Sequence, residues 1–253
     1  KEGIWADSKP EAVFGIHVGI ATPGGQIAAK PGPLMAAVDS FEMTVVGKQS
    51  HGAMPWNGVD PIVVASQIVL GLQTIVSRQV DVTLAPSLVS VGRISGGVRN
   101  NVIPDRVEME GTIRTFDENM RREIHARIEN TARAIASAAG AEIEFKLLIG
   151  YPSVNNNAEL FEQSLPTLQR VSGDNPVNII TPQTVAEDFS FFSNETPGLF
   201  LFLGGSPGGV DPLSQPSNHS PLFFVDESTL KTGVNVLTNL VADYFAQAGV
   251  EGR

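Results

Sequence analysis

The chain has 253 residues, of which 42% are hydrophobic and 17% charged, enough to bury the core of one large domain or two modest ones. Its formal net charge of −10, isoelectric point of about 4.8 and scattered basic residues argue against a nucleic-acid surface, which needs clustered Lys and Arg. No cysteine is present, so disulfide and thiolate chemistry are excluded and any metal site must be built from His, Asp and Glu. No apolar run approaches the ~20 residues that cross a bilayer, and residues 1–5 lack the charged-then-apolar layout of a signal peptide. A cysteine-free chain is compatible with either redox compartment.

In chain order, residues 13–20 are a short apolar run broken by Gly15 and His17 and followed by the turn Thr22-Pro23-Gly24-Gly25, the pattern of a buried strand that ends in a loop. From residue 39 to 148 the pattern reads strand, helix, strand, strand, helix, strand. Phe41, Met43 and Val45 alternate on the first strand, and Ile62, Ala65, Ile68, Val69, Leu72, Ile75 and Val76 recur at helical spacing. Residues 88–94 and 107–113 predict two strands joined through the glycine-rich turn at 95–101. A second helix carries Met120, Ile124, Ile128, Ala132, Ile135 and Ala139 on one face, stops at Gly140 and leads into an alternating strand at 141–148. That order is a split βαβ, ferredoxin-like module. Beyond Tyr151-Pro152 the pattern becomes α/β: a helix near 158–171, an apolar run at 199–203, a Gly/Pro/Ser-rich loop at 204–220 and a closing helix near 226–246. The expected organisation is an α/β domain made of residues 1–38 and 149–253, with the module at 39–148 inserted into it.

The segment from Gly47 to Pro61 places a lone histidine, His51, between glycines and prolines that have no core-packing purpose, a loop suited to presenting an imidazole and equally readable as an exposed turn. His17 stands at the end of its strand, where ligands collect in open α/β sheets, and a hydrogen-bonded core histidine is the competing reading. His219 lies in the loop Pro216-Ser217-Asn218-His219-Ser220-Pro221, whose prolines restrict its backbone as they would in any structured loop. His125, among Arg121, Arg122, Glu123 and Arg127, reads as a solvated helix face. Asn101, in a turn with paired amides, and Arg114, at the end of the following strand, offer an amide and a guanidinium for a carboxylate clamp, or else a turn cap and a surface Arg. Glu187-Asp188 precedes three phenylalanines, and two carboxylates beside so much apolar surface need partners: helix N-terminal amides, a cation or a metal, with capping of a helix starting near Asp188 as the plainest reading.

Taken together, FGIHV, GKQSHGAMPWNGVDP, LQTIVSRQ, GGVRNNVIPD, GTIRTF, AEDFSFF and NHSPLFFVDE resemble, in order and spacing, the M20 metallopeptidase family, in particular its branch of hippurate, N-acyl-amino-acid and indole-acetyl-amino-acid hydrolases. The resemblance implies a mixed-sheet α/β catalytic domain, incomplete here, with an inserted ferredoxin-like α+β domain that mediates homodimerisation. It implies two divalent metals, zinc or manganese, and hydrolysis of the amide of an N-acyl amino acid by metal-activated water; from charge and run length, neither nucleic acid nor membrane is expected as a partner. By the same resemblance His17 and His219 are metal ligands, His51 is the catalytic oxyanion-stabilising residue that reaches an active site of the partner subunit, and Asn101 and Arg114 bind the substrate carboxylate. The family's preceding segment supplies a bridging Cys or Asp, another His and a Glu-Glu pair. This sequence contains no His-x-Asp or Glu-Glu motif, so it is expected to be the C-terminal portion of the enzyme. A non-catalytic, carboxylate-binding remnant is the alternative reading, and a metal-independent esterase using Ser50 beside His51 is a third.

Overall fold

The computed structural model describes residues 3–251, leaving aside the side chains of residues 20, 21, 213 and 248–251. The chain divides into two compact units: Lys1–Met35 with Val154–Gln183 and Glu187–Arg253, and Ala36–Ser153 with Thr184–Ala186.

The first unit is built on a mixed sheet. Strands β1 (Val13–Pro23), β2 (Ile27–Ala29), β11 (Asn178–Ile179) and β12 (Gly198–Ser206) lie in the order β1-β12-β2-β11, with β1 parallel to β12, β12 antiparallel to β2, and β2 parallel to β11. The run 198–206 is buried almost throughout because side chains on both of its faces are covered. Leu199 and Leu201 point into a cluster with Leu160, Phe161 and Leu168 of helix α3 (Ala158–Ser172) and Val236 and Leu240 of helix α5 (Ser228–Glu251), while Phe200 belongs to a second cluster with Leu34, Met35 and Val154. The short hairpin-like pair β3 (Gly32–Met35) and β10 (Val154–Asn156) is stitched to β12 by Asn156, whose side chain donates to the carbonyls of Lys30 and Phe200 and accepts from the Phe200 amide, all at 2.7–2.9 Å. The buried strand expected at 13–20 is longer and half-buried, because β1 is the edge of its sheet and pairs on one side only. His17 accordingly lies inside β1, two residues before the regular ladder with β12 ends at Gly19.

The second unit has the expected ferredoxin-like order. Strands β4 (Ala37–Val46), β6 (Ser87–Gly96), β8 (Arg106–Thr115) and β9 (Glu142–Ile149) form an antiparallel sheet in the order β6-β8-β4-β9, and helices α1 (Pro61–Thr74) and α2 (Glu118–Ala138) pack with it around one core. Phe41, Met43 and Val45 supply the inward face of β4 and Val107, Met109 and Ile113 that of β8. Gly111 has to be glycine because the ring of Phe41, its register partner, lies where a Cβ would go. Helix α1 opens with Asp60 accepting from the Ile62 and Val63 amides and with Pro61 in its first turn. Helix α2 opens with Asp117 accepting from Met120 and ends at Gly140 (φ +75°), with the Ala141 amide reaching back to Ala136. Contrary to the reading of the sequence, Pro61–Gln79 is long and apolar enough to cross a membrane by length and composition, at a mean hydropathy of 1.3, because its many aliphatic residues outweigh Ser66, Gln67 and Gln73, which interrupt the apolar run. Its face of Val64, Ala65, Ile68, Leu72 and Ile75 is in the core of this unit.

The solvated helix face expected at His125 is not found. His125 Nε2 lies 2.6 Å from Asp39 Oδ2 and its side chain is 12% exposed. Asp39 shares the inward face of β4 with Phe41, so its carboxylate is carried into the core, where Arg121 grips it through Nε and Nη2 at 2.7 Å and the Gly150 amide donates at 2.9 Å. A helix-surface pattern in the sequence therefore conceals a buried ionic cluster, because its partner carboxylate lies 82 residues away from Arg121.

Candidate functional site

The candidate site residues fall into two groups, one in each unit. In the second unit the loop after β4 is closed at its neck by Lys48 and Val59, which exchange backbone hydrogen bonds at 2.9 and 3.0 Å. Gly47 and Gly58 permit that crossing, since a Cβ at either would strike the carbonyl of Val59 or Lys48. Beyond the neck, β5 (Ser50–His51) pairs with β7 (Val102–Ile103), and the Gly52 amide donates to the Asn101 carbonyl at 2.8 Å. The loop thus brings His51 and Asn101 together, both exposed. His51 Nδ1 accepts from the Ala53 amide at 3.0 Å. A backbone N–H only donates, so Nδ1 holds its lone pair and Nε2 carries the proton. His51 is therefore presented as a hydrogen-bond donor.

Ser50 does not form the Ser-His arrangement of the esterase reading. Its Oγ is buried without a hydrogen-bond partner and lies against Gly58, and the His51 nitrogen that faces backbone is already engaged.

Arg114 is half-buried near the end of β8, with Nε donating to the Thr184 carbonyl at 3.2 Å, and Nη1 donating to Thr112 Oγ1 and to the Ile113 carbonyl. All these acceptors are neutral, so its charge has no direct counter-ion among them. Burial lowers its pKa and the charge of Asp39 opposes that shift. Asn101 and Arg114 do not form a clamp within one chain. Asn101 precedes the Arg106 end of β8 and Arg114 sits near the other end, a separation of about 27 Å at ~3.4 Å per strand residue. Sequence proximity put them together, and an extended strand keeps them apart.

In the first unit, His17 Nδ1 lies 2.9 Å from the Val18 carbonyl. A carbonyl only accepts, so here Nδ1 carries the proton and Nε2 holds the lone pair, the form that binds a cation. His17 and His51 are thus anchored in opposite tautomers. His219 is exposed at the centre of a turn closed by the Ser220 amide on the Ser217 carbonyl at 2.9 Å, and its neighbour Asn218 donates to that same Val18 carbonyl at 2.8 Å. Glu187, which the resemblance places near the site without a metal role, is within electrostatic reach of His17: burial and the adjacent Asp188 push its carboxyl above the usual range, and His17 draws it back. Phe189 anchors this segment by packing on Phe200 at a ring separation of 5.0 Å, over Gly15, where any Cβ would meet both rings. Capping does not account for the acidic pair, since helix α4 (Ser190–Ser193) has no side-chain cap. The run of phenylalanines after two acids was the available signal.

Two imidazoles, one in the metal-binding tautomer, suit a borderline divalent cation such as zinc. Among the described residues no group of three or more His, Cys, Asp or Glu could hold a metal ion, so these donors fit as part of a ligand set and do not complete one.

Residues 38–139 match the peptidase dimerisation domain family of the M20 peptidases. The chain is 36% identical over 239 residues to N-acetylcysteine deacetylase of Bacillus subtilis, covering 94% of this chain and 58% of that protein. It is 31% identical over 244 residues to IAA-amino acid hydrolase ILR1-like 2 of Arabidopsis thaliana, covering 96% and 55%. The crystal structure of the YXEP protein of Bacillus subtilis, a dinuclear metal binding peptidase from the M20 family, superposes with a TM-score of 0.70 at 31% identity, over 91% of this chain and 56% of that one. The chain spans a little over half the length of the relatives it matches. With its dimerisation domain, its mixed α/β fold and its relatives in agreement, the chain belongs to the M20 family.

Proposed function

We propose that the chain is part of a metal-dependent amidohydrolase that cleaves the amide bond of an N-acyl amino acid, with an active site assembled from two copies. The observation that carries this reading is the opposite anchoring of the two histidines, His17 with a free lone pair and His51 with a free N–H. Hydrolysis of an amide requires a donor where negative charge develops on the carbonyl oxygen, and His51 supplies one on a braced loop. Arg114, charged and bonded to neutral oxygens among the described residues, binds the carboxylate of the amino-acid half. Asn101, pinned beside His51, contacts the same substrate. His17 and His219 contribute imidazoles to a divalent-metal site of zinc or manganese, whose chemistry is activation of water, and further ligands come from outside these 253 residues. The relatives support the substrate class: one is named for N-acetylcysteine and another for IAA-amino acids. Because His51 and Asn101 lie at the opposite end of the sheet from Arg114, one substrate cannot touch all three in a single chain, and a homodimer through the dimerisation domain supplies the second set.

The test is hydrolysis of N-benzoylglycine by this chain assembled with the segment that supplies the remaining ligands, with added zinc or manganese, with and without chelator. Chelator-sensitive turnover that falls on replacing His51 supports the reading. Binding of N-benzoylglycine without turnover, unaffected by chelator, favours instead a carboxylate-binding protein, the alternative favoured by the incomplete ligand set.

A further inference from the structure

The Val18 carbonyl accepts two hydrogen bonds from different parts of the chain: 2.9 Å from His17 Nδ1 and 2.8 Å from Asn218 Nδ2. The first sets the tautomer of His17 and leaves the lone pair on Nε2. The second pins a turn, 217–220, whose two central residues are Asn218 and His219, so the tether acts on the residue directly before the second imidazole. Among the described residues the rest of the turn is held locally, by the Leu222 amide on Ser220 Oγ at 3.1 Å and the Phe223 amide on the Ser220 carbonyl at 3.0 Å, and the next backbone link to the sheet is the Asp226 amide on the Gly205 carbonyl at 2.9 Å. His219 is exposed, so packing does not fix it. An exposed imidazole on a surface turn samples several rotamers and backbone positions, and holding its turn at one point removes most of that freedom before a ligand arrives.

We propose that Asn218 is a positioning residue for cation binding. Through the shared Val18 carbonyl it couples the placement of His219 to the orientation of His17, so that the two imidazoles behave as one preorganised pair rather than two independent donors. This rests on the reading of His17 and His219 as metal ligands. Outer partners of metal-binding histidines change affinity by about 10–100-fold when removed; the Val18 carbonyl is such a partner of His17, and Asn218 holds it.

The experiment is zinc titration of the full 253-residue chain by calorimetry, for the parent protein and for Asn218→Ala, His219→Ala and the double variant, with His125→Gln as a control and circular dichroism confirming the fold. The expected result is a tenfold or greater loss of zinc affinity in Asn218→Ala, and no further loss when Asn218→Ala is added to His219→Ala, because Asn218 acts through His219. Loss on His219→Ala with none on Asn218→Ala overturns the proposal and leaves the ligand reading standing. Zinc binding indifferent to both His17→Ala and His219→Ala removes the ligand reading and the proposal with it. Should Asn218→Ala fail to fold, nitrogen-15 imidazole spectra of the parent protein decide: the Nδ1–H tautomer at His17 and a protected Asn218 side-chain amide are expected, and the Nε2–H tautomer at His17 overturns the coupling.

Discussion

At the scale of single residues, polar side chains are placed by what their neighbours can donate or accept. His51 receives a backbone N–H at Nδ1 and so offers Nε2–H. An oxyanion donor acts mainly in the transition state, so His51→Ala is expected to lower kcat by about 10²-fold or more with little change in KM, measured by steady-state kinetics on an N-acyl amino acid. A raised KM at unchanged kcat would assign His51 to ground-state binding. Asp39 shows the same logic in the core. Its burial alone would raise its pKa, and the hydrogen bonds from Arg121, His125 and Gly150, with the charge of Arg121, outweigh that and hold the carboxyl well below the usual range. A depressed carboxylate pKa adds stability that is fully present above the unfolded value near 3.9 and is lost as the pH falls toward the folded value. Denaturant midpoints taken from pH 6 downward should therefore drop below about pH 4 in the parent protein, and the drop should be shallower in Asp39→Asn. Removing Arg121 instead leaves the buried carboxylate short of its main partner, a loss of about 3–5 kcal/mol at neutral pH.

At the scale of elements, the His51 loop is precise because its neck is narrow. Gly47 and Gly58 let Lys48 and Val59 pair, and the β5–β7 bridge then fixes where His51 and Asn101 emerge. Gly58→Ala should open this neck. Amide exchange at Lys48 and Val59 is expected to accelerate by more than tenfold while the β4–β8 ladder keeps its protection, and unchanged exchange at the neck would show that the loop is held from elsewhere. The strands and helices that form this scaffold were legible from their periods, because alternation in β4 and the 3.6-residue spacing of α1 and α2 are local properties. The ionic cluster was not. Arg121 and His125 look like a polar helix face until Asp39, in phase with Phe41 on the inward face of β4, is brought beneath them. An acid in register with a core face was the overlooked signal.

At the scale of the whole molecule, the unit that carries residues 38–139 matches a dimerisation domain and leaves Leu70 of α1 71% exposed and Val98, after the edge strand β6, 87% exposed. An unpaired strand edge beside apolar side chains is the kind of surface that a second copy covers. Light scattering at micromolar concentration is expected to return twice the monomer mass, and Leu70→Glu with Val98→Glu is expected to reduce it to one. A monomeric parent protein would count against the two-copy active site, because within one chain Arg114 is held at the far end of β8 from His51 and Asn101.

The amino-acid sequence by itself determined the fold class, the strand and helix order of the ferredoxin-like module, the family and the identity of the candidate histidines, because periodicity and motif spacing are written along the chain. Only the tertiary structure decided how those residues are used. It set the opposite tautomers of His17 and His51, joined Asn218 to His17 through one carbonyl, parted Asn101 from Arg114 and buried Asp39 under Arg121 and His125. The physical reason is that a hydrogen bond depends on which donor meets which acceptor in space, and for Asn218 and Val18 the partners are 200 residues apart.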